Sequence, residues 1–204
     1  MIYYGINHDD NQVPVAMNIA LLGWGSLIWK PEPMRLASRW HFDGPMLPLE
    51  FARISKGSRP DSERLTLVIH EGGRPVPTLW AMLENKTLKS AVSDLASREG
   101  CKPEFIGYAI CDGRQYNCRV IPKLSESIFA WAASKKLDAA IWADLPSNFY
   151  EKTGTLLTEY NLLRYLRKLR ASGNTEAIEY VKKAPAQIKT GFREMIEKEL
   201  KIIE

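Results

Sequence analysis

The sequence predicts an α+β fold: a small mixed, largely antiparallel curved sheet or β-barrel with packed helices and a C-terminal helical tail. Three observations carry that expectation. Short apolar or alternating runs, separated by glycine and proline turns, fill the chain up to Leu83. One amphipathic stretch with helix start and stop signals follows at 88–99. After residue 155 the apolar residues recur at helical spacing.

Ile19-Ala20-Leu21-Leu22 is a compact apolar run closed by a glycine-containing turn, the pattern of a buried strand. The segment 49–55 alternates apolar and polar after the Gly44-Pro45 turn signal. On that alternation Glu50 lies opposite Leu49 and Phe51, so it is expected to be solvated rather than a second acid. Further strands are expected at 65–69, which is β-branched and closed by Glu71-Gly72-Gly73, and at 78–83. Thr87 is placed to cap a helix carrying Leu88, Ala91, Val92 and Leu95, and Gly100 to end it. Strands resume at 105–110 and 116–121 around an Asp112-Gly113 hairpin turn, a short helix covers 125–134, and 139–142 returns to strand. In the tail, Leu156, Tyr160, Leu163 and Leu166 form one apolar stripe that stops near Ser172-Gly173-Asn174. A second helix covers Thr175–Lys183, and a third starts near Pro185 and buries Ile188, Phe192, Ile196 and Leu200. Trp40, Trp80, Trp131 and Trp142 are expected in the core or at its rim.

The 204 residues are 45% hydrophobic and 25% charged, ordinary for one domain with a sizeable core, taken as 17–204. Residues 1–16 are expected to be an unstructured extension or an upstream start before Met17. No stretch of about 18 apolar residues exists, so no membrane span is expected. The first residues carry no basic segment and the run from Ile19 is broken by Gly23, Gly25 and Ser26, which argues against a signal peptide. Cys101, Cys111 and Cys118 form no CxxC pair and cannot all pair in one chain, so reduced thiols and a cytoplasmic location are expected. His8, His41 and His70 are scattered, so no metal is expected. The net charge of +4 comes from interleaved charges, and no nucleic-acid partner is expected; Arg164, Arg167 and Lys168 are read as a solvated helix face.

Gly23-Trp24-Gly25-Ser26-Leu27-Ile28 is the most informative local feature. It is not a dinucleotide fingerprint, because Ile28 stands at the third glycine position, nor a nucleophile elbow, which also needs glycine there. No His is placed by sequence to activate Ser26. A tight turn with Ser26 as a local cap is one reading. The other is a strand-to-loop turn whose backbone approaches a ligand and offers N–H groups to a carboxylate or oxyanion. Glu99 is the second feature. Positions 88, 92, 95 and 99 share a helix face, so Glu99 continues an apolar stripe where a carboxylate needs a task or a partner. The alternatives are a general acid–base in a pocket, or a side chain that turns to water or pairs with Arg98 or Lys102.

Leu22-Gly23-Trp24-Gly25-Ser26-Leu27-Ile28-Trp29-Lys30-Pro31 resembles the opening motif of the γ-glutamylcyclotransferase-like fold. It is especially similar to the ChaC branch, which reads G-Y-G-S-L-I-W followed shortly by proline. Trp24 stands where that branch has tyrosine. Arg53 and Gly57-Ser58, then Arg64-Leu65-Thr66-Leu67-Val68, then Leu95 through Arg98-Glu99 resemble its next segments in order, so the similarity covers roughly residues 18–121. The segment from Trp142-Ala143-Asp144-Leu145-Pro146 to Phe149 looks like one in uncharacterised bacterial members. The resemblance implies a small-molecule γ-glutamyl substrate, no metal and no organic cofactor. It implies Glu99 as general base and then acid, Trp24, Gly25, Ser26 and Leu27 as the substrate loop, and Arg53 as a partner for a substrate carboxylate, the other reading of Arg53 being a surface cation on a half-exposed strand. The reaction implied is attack of the γ-glutamyl α-amine on its own γ-carbonyl, releasing 5-oxoproline and an amine. A non-catalytic binding module that retains the same pocket is the alternative. Whether Glu99 shares a cavity with the glycine loop distinguishes the two.

Overall fold

The computed structural model of the protein describes residues 16–57, 62–85 and 87–200. Among these the strands are β1 (Ile19–Gly23), β2 (Met46–Lys56), β3 (Glu63–Ile69), β4 (Arg74–Pro77), β5 (Leu79–Met82), β6 (Ile106–Ile110), β7 (Gln115–Asn117) and β8 (Ala139–Ala143). The helices are α1 (Leu88–Glu99), α2 (Leu124–Ser134), α3 (Phe149–Thr153), α4 (Glu159–Ala171), α5 (Thr175–Lys183) and α6 (Arg193–Glu199). The expected extension at residues 1–16 lies outside the described residues except for Ala16.

All five residues of β1 are buried, and a strand without polar alternation needs cover on both faces. The strand supplies two cores at once. Ala20 and Leu22 join one apolar cluster, with the second sheet and the tail helices. Ile19 and Leu21 join the other, with Ala91, Leu95 and Ala96 of α1. Laterally, β1 pairs antiparallel with β5 and parallel with β8, in a five-stranded sheet of order β5-β1-β8-β6-β7. The β6–β7 hairpin turns through Gly113, whose φ of 69° suits glycine. The second sheet is antiparallel, in the order β3-β2-β4. The fold is α+β as expected, and its strands are divided between two sheets, one mixed and one antiparallel, that do not close into a barrel.

One irregularity in β2 positions the site. Leu47, Leu49 and Phe51 are fully buried, and strict alternation would send Arg53 into the same core. The register slips between Phe51 and Arg53, a bulge that adds one residue and reverses the phase. Ile54 then carries on the core face, while Arg53 and Ser55 pair with Thr66 and Arg64 of β3 on the opposite one. The segment after β8 is stapled to this bulge. Ser147 Oγ donates to Ala52 O at 2.6 Å, Asn148 Nδ2 donates to Ile54 O at 3.0 Å, and Asn148 Oδ1 accepts from Ile54 N at 2.7 Å.

Helix α1 begins and ends as expected: Thr87 accepts from Ser90 N, and Gly100 is left-handed at φ 62°. The tail departs from expectation in two places. Helix α4 starts at Glu159 behind the cap Thr158 and buries Leu162, Leu166 and Leu169, so Leu156 and Tyr160 are exposed at 69% and 72%. The adjacent Leu162 and Leu163 allow two stripes, and the cap selects the other one. Residues after Pro185 are irregular, and only 193–199 form the last helix, although Ile188, Ile196 and Leu200 are buried as expected. Glu50 is also buried rather than solvated, at 3% exposure. Its Oε1 accepts from Phe51 N and its Oε2 from Phe192 N at 3.1 Å, which ties the tail just before α6 to β2. No helix among the described residues is long and apolar enough to cross a membrane.

Candidate functional site

A cleft of about 710 Å³ opens where the loop after β1, the C-terminal end of α1, the Arg53–Thr66 face of the second sheet and the segment after β8 meet. Trp24, Gly25, Ser26, Leu27, Arg53 and Glu99 all line it. Ser58 lies outside the described residues.

The loop is a pair of tight turns, closed by Ile28 N to Gly25 O and by Lys30 N to Ser26 O, both 2.9 Å. Among the described residues, no intramolecular acceptor takes up the N–H groups of Gly25, Ser26 or Leu27. Three successive N–H groups left open beside a cleft suit an anion or a polarised carbonyl oxygen. Trp24 is 5% exposed and forms a wall. Its indole N–H donates to Leu67 O at 3.2 Å, fastening the loop to β3. Gly25 is required by close approach, since a Cβ there would lie 2.2 Å from the Tyr180 hydroxyl.

Glu99 is the last residue of α1, at the negative end of the helix dipole, where a carboxylate needs compensation. Arg98 provides it. Its Nη1 is 2.6 Å from Glu99 Oε1, and both side chains are largely buried, at 10% and 17% exposure. The same guanidinium reaches across the cleft through Nη2 to Ser26 Oγ at 3.2 Å and Lys30 O at 2.8 Å. One arginine therefore joins the carboxylate to the glycine loop. Glu99 Oε2 makes no intramolecular hydrogen bond among the described residues, so it is the atom left for a ligand.

Arg53 is half-buried and donates from Nη1 to Pro146 O at 2.6 Å. Burial pulls its pKa below the usual guanidinium value, opposed by the charges of Cys101, Glu151 and Glu99. Cys101 lines the same cleft, and its thiol is pushed up by burial and by Glu99, with Arg53 acting in the opposite sense. The lining is strongly cationic: Lys30, Arg53, Lys56, Arg64, Arg98 and Lys152 face only Glu32 and Glu99 as carboxylates. Among the described residues no group of three or more His, Cys, Asp or Glu side chains is placed to hold a metal ion.

The sequence singled out the loop, Glu99 and Arg53, and the fold brings them together. It missed Arg98 as the bridge, the cationic β3 residue Arg64, Cys101, and Tyr180 from the tail. Arg98 could be read as a partner of Glu99 but not as a tie to Ser26, which is 72 positions away. No local signal marked Tyr180, a buried position on an ordinary amphipathic helix. Comparison with known proteins returned no matching family model, curated protein or solved structure.

Proposed function

We propose that this protein is a γ-glutamylcyclotransferase-like enzyme, akin to the ChaC branch, which releases 5-oxoproline from a γ-glutamyl amine or peptide. The observation that carries this reading is the common cleft of Glu99 and the open N–H groups of 25–27, joined through Arg98. The substrate contains both reacting groups, so the protein's task is to fold it, move protons and hold developing charge. Glu99 Oε2 takes a proton from the α-amine as its nitrogen bonds to the γ-carbonyl carbon. The carbonyl electron pair moves onto oxygen, which faces the loop N–H groups. Collapse of this intermediate breaks the bond to the leaving amine, and Glu99 returns the proton to that nitrogen. Arg53 is the half-buried cation available for the substrate α-carboxylate.

The test is 5-oxoproline release from glutathione, a γ-glutamyl amino acid and a γ-glutamylamine, with Glu99→Gln beside the wild type. The variant is expected to lose about 10²- to 10⁴-fold in kcat with its fold intact. Release from none of the three refutes the enzyme, and release that Glu99→Gln leaves unchanged refutes Glu99 as its acid–base.

One observation favours the second reading, a binding module. The 2.6 Å ion pair spends one Glu99 oxygen on Arg98 and gives the pair a structural role. That reading predicts calorimetric binding of γ-glutamyl compounds without any release.

A further inference from the structure

The tail helix α5 sends one polar atom into the cleft. Tyr180 is 5% exposed and lines the cavity, and its hydroxyl lies against the backbone of Gly25. The ring is fixed on several sides. Trp29 meets it edge-on at 5.4 Å between centroids, Phe51 does so at 6.4 Å, and the Arg64 guanidinium lies 5.8 Å from the ring centre. The Tyr180 oxygen accepts the Leu67 N–H at 3.3 Å. Its own proton has no intramolecular acceptor among the described residues, so a buried hydroxyl keeps one donor to give. The neighbouring indole cannot fill that role, because the Trp24 N–H is already bound to Leu67 O.

Burial pushes the phenol up to about 12, so the hydroxyl stays protonated at any ordinary working pH. A rigid, protonated donor beside three open backbone N–H groups has the composition of an oxyanion hole.

We propose that the Tyr180 hydroxyl is a catalytic hydrogen-bond donor to the γ-carbonyl oxygen of the substrate, completing with the N–H groups of 25–27 the site that holds the oxyanion. This inference rests on the cyclotransferase reading and deepens it. As the α-amine nitrogen bonds to the γ-carbon, the carbonyl π pair localises on oxygen and the O–H···O bond shortens. When the bond to the leaving amine breaks, the pair returns and the bond relaxes. Tyr180 keeps its proton throughout, and proton movement belongs to Glu99. The donor acts on the intermediate more than on the substrate, so its loss falls on kcat rather than KM.

The experiment is steady-state 5-oxoproline release by wild type, Tyr180→Phe, and a protein with 3-fluorotyrosine at position 180, with near-ultraviolet circular dichroism recorded on each. Tyr180→Phe is expected to lower kcat by about 10²- to 10³-fold while KM stays within about threefold. Fluorotyrosine keeps the ring contacts and the acceptor for Leu67 but is a stronger acid, so kcat is expected to rise about twofold or more. A merely structural tyrosine would not respond to that change. If the wild type turns over and Tyr180→Phe retains kcat, or loses only KM, Tyr180 is not the donor and the enzyme reading stands. If Tyr180→Phe fails to fold, the fluorotyrosine protein decides, and an unchanged kcat overturns the proposal. A wild type silent on every γ-glutamyl compound refutes the enzyme reading and this proposal with it.

Discussion

Arg98 has three partners and one of them is the proposed base. It neutralises one oxygen of Glu99, anchors Ser26 and holds the carbonyl of Lys30. A planar guanidinium holds its donors in fixed directions on separate nitrogens, whereas the three donors of an ammonium rotate on one. Arg98→Lys is therefore expected to keep the fold but lower kcat/KM by about 10- to 100-fold, because the carboxylate and the loop lose their common support. Steady-state kinetics and a melting curve on the same preparation separate the two effects. Cys101 gives an independent probe of the same charges. Its thiol is held up by burial first and by Glu99 second, while the Arg53 charge draws it down. The thiolate is the reacting species, so alkylation by iodoacetamide should be slow at neutral pH and quicken as pH rises. Glu99→Gln removes a raising charge and should speed Cys101 labelling by about twofold or more at fixed pH, whereas Arg53→Met should slow it. Peptide mass spectrometry follows the site. Cys118 serves as the internal control, for it is buried and pushed up to about 12. If the two variants label at the wild-type rate, the three side chains do not share a field.

The bulge in β2 is the element that turns a core strand into a cleft floor, and its support comes from residues 146–148. Asn148 acts as a short substitute strand, pairing with both backbone groups of Ile54. Asn148→Ala leaves those groups without partners and should cost about 1–3 kcal/mol in urea unfolding, with Arg53 displaced and KM raised. A loss in stability without any change in KM would mean that the bulge holds Arg53 unaided. Much at this scale was legible in the sequence. Helix α1 was readable to the residue because Thr87 and Gly100 act locally, and β1 because an unbroken apolar run of that length has few alternatives. Strand β4 was not, since Pro75 and Pro77 argue against a strand, and they are tolerated because β4 is an edge. The burial of Glu50 was hidden for a different reason. Alternation describes a strand with one face in water, and here the tail covers the second face. The bulge itself leaves no trace in residue type, so the phase reversal that aims Arg53 could come only from the pairing with β3.

At the scale of the whole molecule, the site depends on contacts that no local pattern encodes: Ser26 meets Arg98 across 72 positions, and Leu67 meets Tyr180 across 113. The sequence could name residues on either side of the cleft, but closing it took the tail. Stability and electrostatics follow from the same assembly. Asp144 is completely buried at the end of β8 and accepts from the backbone N–H groups of Arg119 and Val120. Burial raises its pKa against those bonds, so the folded state holds the proton more tightly than the unfolded chain. The contribution of Asp144 is thus most favourable on the acid side and declines as pH rises through the raised native value. Relative to Asp144→Asn, the wild type should lose stability in urea titrations as pH rises above the ordinary carboxylate range, and a constant difference would contradict it. The cleft offers the opposite case, a field that the solvent can screen. Six cations and two carboxylates line it; Arg98 is paired with Glu99, and Lys152 lies 4.0 Å from Glu63. That surplus is expensive for the protein to hold unless a ligand brings negative charge, so the leaving portion of the substrate should itself be acidic. At physiological ionic strength the screening length is about 8 Å, comparable to the reach of such a field across an open cleft. KM for a γ-glutamyl peptide with a free carboxylate should therefore rise about threefold or more between about 0.02 M and 0.5 M sodium chloride. KM for a γ-glutamylamine with an uncharged leaving portion should move much less over the same range. Equal responses from the two substrates would assign the surplus cations to folding contacts rather than to recognition.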